Sequence, residues 1–166
     1  MGVLGHFRIQ PRLIRILSAQ YRSSEDALKE LVTNCWDADA TEVNIGLPIA
    51  LAQQPIIIAD NGVGMSTDDL QAAFLQVAYD RRVGHSSNTA MGRVVRGRQG
   101  IGKFAGFLLA DRLVMDTVAK GVRSRLILDL AELLEAADDV EAVDLPIETE
   151  RSGLSSDERG LYPDHQ

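Results

Sequence analysis

The sequence is best understood from one segment near its start, Ala27-Leu28-Lys29-Glu30-Leu31-Val32-Thr33-Asn34-Cys35-Trp36-Asp37-Ala38-Asp39-Ala40-Thr41. A helix advances ~100° per residue, so Glu30, Asn34 and Asp37 fall within a narrow arc of one helix. The apolar side chains of this segment lie about a quarter to a half turn away. The segment therefore predicts a helix with a core face and a separate acid–amide–acid face. A solvated polar face would show the same pattern, so other segments have to distinguish the two interpretations.

The composition bounds the class of protein. The chain has 166 residues, of which 45% are hydrophobic, enough for one globular domain. Its 17 basic and 24 acidic side chains give a formal net charge of -7, which does not indicate nucleic acid as a partner, although a local basic patch is compatible with it. The single cysteine, Cys35, excludes an internal disulfide and a multi-cysteine zinc site. Without a signal peptide or ~20 consecutive apolar residues, we expect a cytoplasmic protein that does not enter a membrane.

The residues around the first segment predict alternating strands and helices. Ser23-Ser24-Glu25-Asp26 supplies an N-cap hydroxyl and first-turn acids for the helix. Before it, we expect a strand from Gly5 to Ile9 and a helix from Pro11 to about Tyr21. After it, Thr41–Leu47 alternates like a half-buried strand, and Ile56–Ala59 is a β-branched run typical of a buried central strand.

The β-branched run ends in a second informative segment, Asp60-Asn61-Gly62-Val63-Gly64-Met65. An aspartate at the end of a strand, followed by two glycines, places a carboxylate where the backbone lets a ligand approach closely. An ordinary Asp-Asn-Gly turn is the alternative. Beyond it, Ser66-Thr67-Asp68-Asp69 predicts the start of a helix to about Val77, with Leu70, Phe74 and Val77 on its inner face.

A long, arginine-rich connection follows over residues 80–99. Its charged and titratable side chains include Arg81, Arg82, His85, Arg93, Arg96 and Arg98. Loops of this length are often functional lids, and a basic loop in an acidic chain favours an anionic ligand. A solvated charged loop is the alternative.

The third informative segment is Gly97-Arg98-Gln99-Gly100-Ile101-Gly102-Lys103-Phe104. Glycines that lead into an apolar helix expose backbone amides at its positive end, where phosphate oxygens bind well. A P-loop does not fit, because Phe104 follows Lys103 where that motif needs Ser or Thr. A dinucleotide-binding fingerprint does not fit either, because Asp60 precedes the glycines and no ribose-binding acid follows a matching strand.

Together the three segments resemble the GHKL ATPase superfamily, which includes DNA gyrase B, the large heat-shock chaperone ATPase, sensor histidine kinases and MutL. Glu30-x3-Asn34-x2-Asp37-Ala38 resembles its N-box, Asp60-x-Gly62-x-Gly64 its first glycine box, and Gly97-Arg98-x-Gly100-x-Gly102 its second. The N-box is most similar to those of MutL-like and MORC-like branches. The resemblance covers roughly residues 10 to 130. It implies an α+β fold, a two-layer α/β sandwich of the Bergerat type, with a mixed, mostly antiparallel sheet and helices on one face.

The resemblance also implies Mg²⁺-dependent ATP binding and hydrolysis, with closure of residues 80–99 over the nucleotide as the conformational output. Glu30 would activate the attacking water, Asn34 would bind Mg²⁺, and Asp60 would accept a hydrogen bond from the adenine amino group. Asp37 would either order water near the nucleotide or brace the following turn, and both alternatives stay open. Lys103 would either reach a phosphate or point into solvent. Further nucleotide contacts are implied for Gly62, Gly64, Met65, Gly100, Ile101 and Gly102.

The C-terminal third predicts a hairpin, with strands Arg112–Ala119 and Arg123–Asp129 joined at Lys120-Gly121. Ala131–Val143 predicts a short helix and loop, and we expect no convincing strand after Asp129, although GHKL domains usually end on one. We therefore expect a truncated ATP-binding domain over residues 1–150 and a polar tail over 151–166. Further domains or a partner protein outside this chain, and an ATP-dependent dimer, are compatible with that organisation.

Two other functions fit the motifs, a histidine-kinase-type phosphotransfer domain and a non-hydrolysing, nucleotide-dependent interaction module. The kinase is disfavoured because no dimerisation helix with an acceptor histidine precedes the N-box. The missing end of the domain slightly favours the interaction module, whereas the intact Glu30 argues against it. The purpose of ATP turnover stays open, since DNA processing, chaperoning and defence are all compatible with such a domain.

Overall fold

The computed structural model of the chain describes residues 2–7, 23–49, 54–71, 87–97, 102–135 and 143–151. These ranges contain six strands, three α-helices and one 3₁₀ helix. In chain order they are β1 (Gly2–Phe7), α1 (Ser24–Asp37), β2 (Val43–Gly46), β3 (Ile57–Asp60), α2 (Thr67–Asp69), the 3₁₀ helix (Gly102–Leu108), β4 (Arg112–Ala119), β5 (Val122–Asp129), α3 (Leu130–Glu135) and β6 (Val143–Arg151).

The larger sheet has four antiparallel strands in the order β1-β6-β5-β4. Its β4–β5 hairpin pairs from Arg112↔Asp129 to Ala119↔Val122, as the alternating pattern predicts. The chain reverses at Lys120 and Gly121, whose φ values of 52° and 72° are both positive. Positive φ at both central residues gives the turn the twist that matches two paired strands. The predicted hairpin is therefore confirmed.

Strand β6 corrects the expectation that no strand follows Asp129. It pairs with β1 from Gly2↔Glu148 to Phe7↔Val143 and with β5 from Val122↔Arg151 to Leu126↔Ile147. The local pattern hid this strand because it contains Pro146, a residue that argues against a central strand. The pairing with β5 ends at Ile147, so Pro146 has a described strand neighbour only on its β1 side. A residue without an N–H can occupy such a position.

A second, two-stranded antiparallel sheet is formed by β2 and β3, paired from Val43↔Asp60 to Gly46↔Ile57. Both strands lie where the sequence predicts them. The expectation that the β-branched run is a buried central strand is wrong for the part of the chain described here, since Ile57 is 43% exposed and β3 has β2 as its described neighbour. A run of β-branched residues predicts extended backbone, whereas its burial depends on what packs against it.

The core lies on one face of the four-stranded sheet. Leu126 and Leu128 point inward from β5 and alternate with Arg123 and Arg125 on the other face. The same cluster contains side chains from or beside the helices and from β6, namely Leu70, Phe107, Leu133, Leu145 and Ile147. Full burial of one such side chain contributes about 1.5–3 kcal/mol. Helices on one face of a largely antiparallel arrangement confirm the predicted α/β fold class.

Several predicted elements lie partly or wholly outside the described residues. The helix from Pro11 to Tyr21 is one of them, and so are Phe74 and Val77 on the helix expected after Ser66. The start of that helix is confirmed by a capping box, in which Ser66 Oγ accepts from the Asp69 N–H and Asp69 Oδ2 accepts from the Ser66 N–H. Within the described ranges, the helices are all too short or too polar to cross a membrane.

Candidate nucleotide-binding site

Helix α1 carries the predicted acid–amide–acid face. Its start is capped by Ser23, whose Oγ accepts a hydrogen bond from the Asp26 N–H at 3.2 Å. Ala27 and Cys35 are buried and anchor the core face of the helix. Glu30 and Asp37 are half-buried and Asn34 is exposed, so the polar face borders solvent along its length.

The Glu30 carboxylate lies against the first residue of the 3₁₀ helix. A Cβ built on the buried Gly102 would be only 2.8 Å from Glu30 Cγ and 3.0 Å from Glu30 Cδ, so any side chain at position 102 would force Glu30 to move. Burial of the carboxylate, and then the negative charge of Asp37, raise the pKa of Glu30. A glutamate with a raised pKa is a stronger proton acceptor once it is ionised.

Asp37 is hydrogen-bonded to the backbone at the start of the second glycine box. Its Oδ1 accepts from the Arg96 N–H at 2.8 Å, and its Oδ2 accepts from the Gly97 N–H at 2.7 Å. These hydrogen bonds brace a backbone segment, which is similar to one of the two roles left open for Asp37. The braced segment is not the turn that follows α1. It belongs to a segment some sixty positions later in the chain.

The segment 87–97 is docked on the C-terminal end of α1 by further contacts. The Trp36 Nε1–H donates to the Val94 carbonyl at 3.3 Å, and the indole ring contacts the guanidinium groups of Arg93 and Arg96, 4.6 and 5.0 Å from its centroid. Asp39 Oδ2 accepts from the Met91 N–H at 3.1 Å. Part of the predicted basic loop is therefore ordered against α1 rather than freely solvated.

Asp60 lies at the end of β3, as its position after the β-branched run predicts. Its Oδ1 accepts from the Gly62 N–H at 2.8 Å. The Cys35 thiol lies near this carboxylate, and burial together with the Asp60 charge raises the pKa of Cys35 to about 12. The thiol therefore stays protonated beside the Asp60 carboxylate at neutral pH.

The first glycine box is packed against the end of α1. A Cβ built on Gly62 would be 2.6 Å from the Ala38 carbonyl oxygen and 2.7 Å from Asp60 Oδ1. The Val63 N–H donates to the same Ala38 carbonyl at 2.9 Å. Asn61 Oδ1 accepts from the N–H groups of Thr41 and Glu42, which fixes the chain on the other side of the loop. No larger residue than glycine fits at position 62 without movement of the backbone.

Gly64 and Met65 connect the glycine box to β4. Gly64 has a φ of +68°, and a Cβ built there would overlap the Val118 carbonyl oxygen and lie 3.0 Å from its carbon. The Met65 N–H donates to Thr117 Oγ1 at 2.8 Å, and Thr117 is buried. Thr117 thus holds the end of the first glycine box, and it was not among the predicted residues, although a polar residue on the inward-facing side of β4, in line with Leu113 and Met115, is a signal for it.

The structure thus places Glu30, Asn34 and Asp37 on one face of α1, with Asp60 and Gly62 at its C-terminal end, Gly102 against its middle and Gly64 against β4. Other predicted site residues lie outside the described residues: Gly100, Ile101, the side chain of Lys103, and the arginines Arg81, Arg82 and Arg98 of the basic connection. Among the side chains that the structure describes, no three of the His, Cys, Asp and Glu type are grouped to hold a metal ion. Mg²⁺ that uses one protein oxygen plus water and phosphate oxygens needs no such group.

The chain is similar to a known protein family and to several known proteins. Residues 21–160 match the family described as "Histidine kinase-, DNA gyrase B-, and HSP90-like ATPase". Over 82 residues, the chain is 48% identical to the "Putative type II restriction enzyme HgiDII" of Herpetosiphon aurantiacus, covering 49% of this chain and 13% of that protein.

The chain is also similar to chaperones. It is 26% identical over 136 residues to the chaperone protein HtpG of Methylibium petroleiphilum, covering 70% of this chain and 22% of that protein. With HtpG of Salinispora tropica it shares 25% identity over 133 residues, covering 66% of this chain and 21% of the relative. The matches therefore span between 13% and 22% of the lengths of these relatives.

Proposed function

The chain belongs to the histidine kinase-, DNA gyrase B- and HSP90-like ATPases, an ATP-binding family, and from that premise we propose that it hydrolyses ATP with the help of Mg²⁺. The observation that carries the proposal is the contact of the half-buried Glu30 carboxylate with Gly102, where the second glycine box meets the 3₁₀ helix. Glycine-rich backbone leading into a helix binds phosphate oxygens, so a carboxylate at this point lies beside the site of the reacting phosphate.

Glu30 is the proposed general base. It would accept a proton from the attacking water, and a well-placed base of this kind contributes ~10²–10⁴-fold to the rate. Partial burial and the neighbouring Asp37 charge raise the pKa of Glu30, which increases its basicity at neutral pH. An intact carboxylate in this position favours hydrolysis over a module that only binds nucleotide.

Asn34 is the proposed protein ligand of Mg²⁺. It lies one helical turn after Glu30, and its exposed amide offers the hard oxygen donor that Mg²⁺ prefers. When bound, Mg²⁺ would neutralise charge on the phosphate oxygens. The spacing of Glu30 and Asn34 on one helix places the base and the metal ligand side by side.

Asp60 is the proposed reader of adenine. The Gly62 N–H donates to its Oδ1 and the Cys35 thiol lies beside it, but a carboxylate can accept several hydrogen bonds, and one from the adenine amino group is proposed. Gly62 and Gly64 keep this region free of side chains, and the proposed contact of Met65 with the base would come from a side chain that is partly buried and packs against the hydrophobic core. The backbone amides of Gly100, Ile101, Gly102 and Lys103 are the proposed phosphate donors.

ATP hydrolysis by this domain would drive an activity of other domains or of a partner protein. One relative is named as a restriction enzyme and others as chaperones, and each is several times longer than the matched part. We therefore propose that ATP turnover here, with closure of the connection over residues 80–99, is coupled to further domains, a partner protein or a second copy of the chain.

The test is calorimetric titration of the chain with Mg²⁺ and a non-hydrolysable ATP analogue, repeated with the corresponding GTP analogue. We expect binding that prefers adenine and that weakens about tenfold or more in Asp60→Asn. Asp116→Asn is the matched control, because it removes the same charge from a carboxylate that pairs with Arg123 on the opposite face of the large sheet. Equal affinity for the two analogues, or equal effects of the two variants, would refute the proposed adenine site.

A further inference from the structure

Both described ends of the second glycine box contact carboxylates on the same helix. Gly97 is hydrogen-bonded to Asp37, and Gly102 lies against Glu30. These two carboxylates are separated by two helical turns, ~10 Å along the axis, and differ by only ~20° in direction. One face of α1 therefore defines where the glycine box begins and where it enters the 3₁₀ helix.

The Asp37 contact is suited to this task. A carboxylate that accepts one N–H on each oxygen restrains two successive peptide groups, at 2.8 and 2.7 Å. The fit is close, because a Cβ built on Gly97 would be 2.8 Å from Asp37 Oδ2. Asp37 thus fixes the position of the backbone at Gly97. The negative charge of the same side chain also contributes to the raised pKa of Glu30, after burial.

We propose that Asp37 is a positioning residue for phosphate binding. It holds the backbone at Gly97, where the second glycine box begins, at a defined distance from Glu30, and this positions the start of the box for the phosphate chain of ATP. The inference rests on the proposed function. In this role Asp37 contacts neither the adenine nor the attacking water.

If Asp37 has this role, removing its carboxylate should weaken binding of the phosphates of ATP and leave binding of adenosine nearly unchanged. In Asp37→Asn the amide oxygen can accept from only one of the Arg96 and Gly97 N–H groups, and the amide NH2 opposes the other, so the backbone at these two residues is free to shift relative to Glu30. Displacements of ~1 Å are enough to impair binding and catalysis at a prearranged site. The Asp60 end of the site is held by separate contacts with Gly62 and Ala38, and these do not involve Asp37.

The test compares a ligand that has phosphates with one that lacks them. Wild type and Asp37→Asn are titrated with Mg²⁺ plus a non-hydrolysable ATP analogue and, separately, with adenosine. We expect Asp37→Asn to weaken binding of the ATP analogue about tenfold or more and to change adenosine binding less than about twofold. Amide hydrogen exchange at Arg96 and Gly97 should become faster in the same variant.

The matched control is Asp39→Asn. Asp39 holds the same segment through the Met91 N–H but does not contact the glycine box. We expect this variant to keep the wild-type ratio of ATP-analogue to adenosine affinity within about twofold. If Asp37→Asn does not fold, Gly97→Ala is the second variant, because it places a methyl group against Asp37 Oδ2 and should show the same selective loss.

Each remaining outcome contradicts the inference in a recognisable way. Unchanged affinity of a folded Asp37→Asn for the ATP analogue would overturn the positioning role. An equal loss for adenosine and the ATP analogue would make Asp37 a general structural residue. Failure of the wild-type chain to bind the ATP analogue would refute the proposed function itself, and the inference with it, before any variant is compared.

Discussion

Gly102 and Glu30 are in direct contact, although one begins the 3₁₀ helix and the other lies in the middle of α1. A Cβ built on Gly102 would be 2.8 Å from Glu30 Cγ, so any other residue there would push the glutamate into a different rotamer. The orientation of the proposed base is therefore set by a glycine of the second glycine box.

The first prediction concerns this contact. Gly102→Ala should lower the rate of ATP hydrolysis at saturating ATP about tenfold or more, because Glu30 has to move away from the reacting phosphate. Gly46→Ala is the control, since a Cβ built on Gly46 meets the Ile57 Cβ at an ordinary 3.5 Å. Steady-state turnover measured for both variants, with thermal unfolding in parallel, checks the prediction. Normal turnover in a folded Gly102→Ala protein would contradict it.

The second prediction separates binding from chemistry. Glu30→Gln should lower kcat by ~10²–10⁴-fold, because the amide cannot accept a proton from water. Its affinity for a non-hydrolysable ATP analogue should stay within about threefold of wild type, since the side chain keeps its shape. Single-turnover hydrolysis and calorimetry measure the two quantities. A parallel loss of affinity would make Glu30 a binding residue rather than the base.

The third prediction concerns the first glycine box. Gly64 and Gly121 both have positive φ, at 68° and 72°, so alanine at either position costs about 1–2 kcal/mol in backbone strain. Only Gly64→Ala also brings a methyl group against the Val118 carbonyl, whereas Gly121 has open space. The free energy of unfolding in urea should fall by at least about 1 kcal/mol more for Gly64→Ala than for Gly121→Ala. An equal decrease in the free energy of unfolding for the two variants would show that the backbone near Val118 moves to accept the methyl group without a loss of stability.

The fourth prediction uses Cys35 as a reporter of Asp60. Because its pKa is about 12, only ~10⁻⁴ of the thiol is ionised at pH 8, so a disulfide reagent should label the folded chain slowly. Asp60→Asn removes the like charge that contributes to this shift and should accelerate labelling. Asp116→Asn, distant from the thiol, should leave the rate unchanged. An unaltered rate in Asp60→Asn would place the carboxylate away from Cys35.

The fifth prediction is a pH dependence of stability. The Thr89 hydroxyl beside Asp39, with the Met91 N–H and Arg93, holds the pKa of Asp39 below its usual range, against the opposing effect of burial. A carboxyl with a lowered pKa in the folded state stabilises the fold above its unfolded pKa of ~3.9 and loses that contribution as the pH falls through its folded pKa. Asp39→Asn should therefore be less stable than wild type at pH 7, and the difference should shrink below pH ~4.

Urea unfolding of both proteins at pH 7, 5 and 3 measures this difference, and Trp36 fluorescence reports whether the segment 87–97 stays docked, because Trp36 is the only tryptophan and contacts Val94. A difference in stability that is constant with pH would mean that the charge of Asp39 plays no part.

Local patterns in the sequence determined much of this protein. The 3.6-residue period put Glu30, Asn34 and Asp37 on one helical face, Lys120-Gly121 predicted the β4–β5 hairpin, and three motifs in order identified the family. These features depend on residues close together in the chain, where steric and hydrogen-bonding preferences act directly. The strand β6 escaped the same reasoning, because it depends on distant partners and contains Pro146.

Only the tertiary structure decided how these parts meet. The Asp37 bonds to Arg96 and Gly97, the Thr117 bond to Met65, and the placement of Cys35 beside Asp60 join residues far apart in the sequence. Such contacts depend on the angle and distance at which helices and strands pack, and no periodicity encodes either quantity. Asp37 could therefore be singled out as a functional candidate from its spacing, whereas its partner could be found only once the glycine box and α1 were in place.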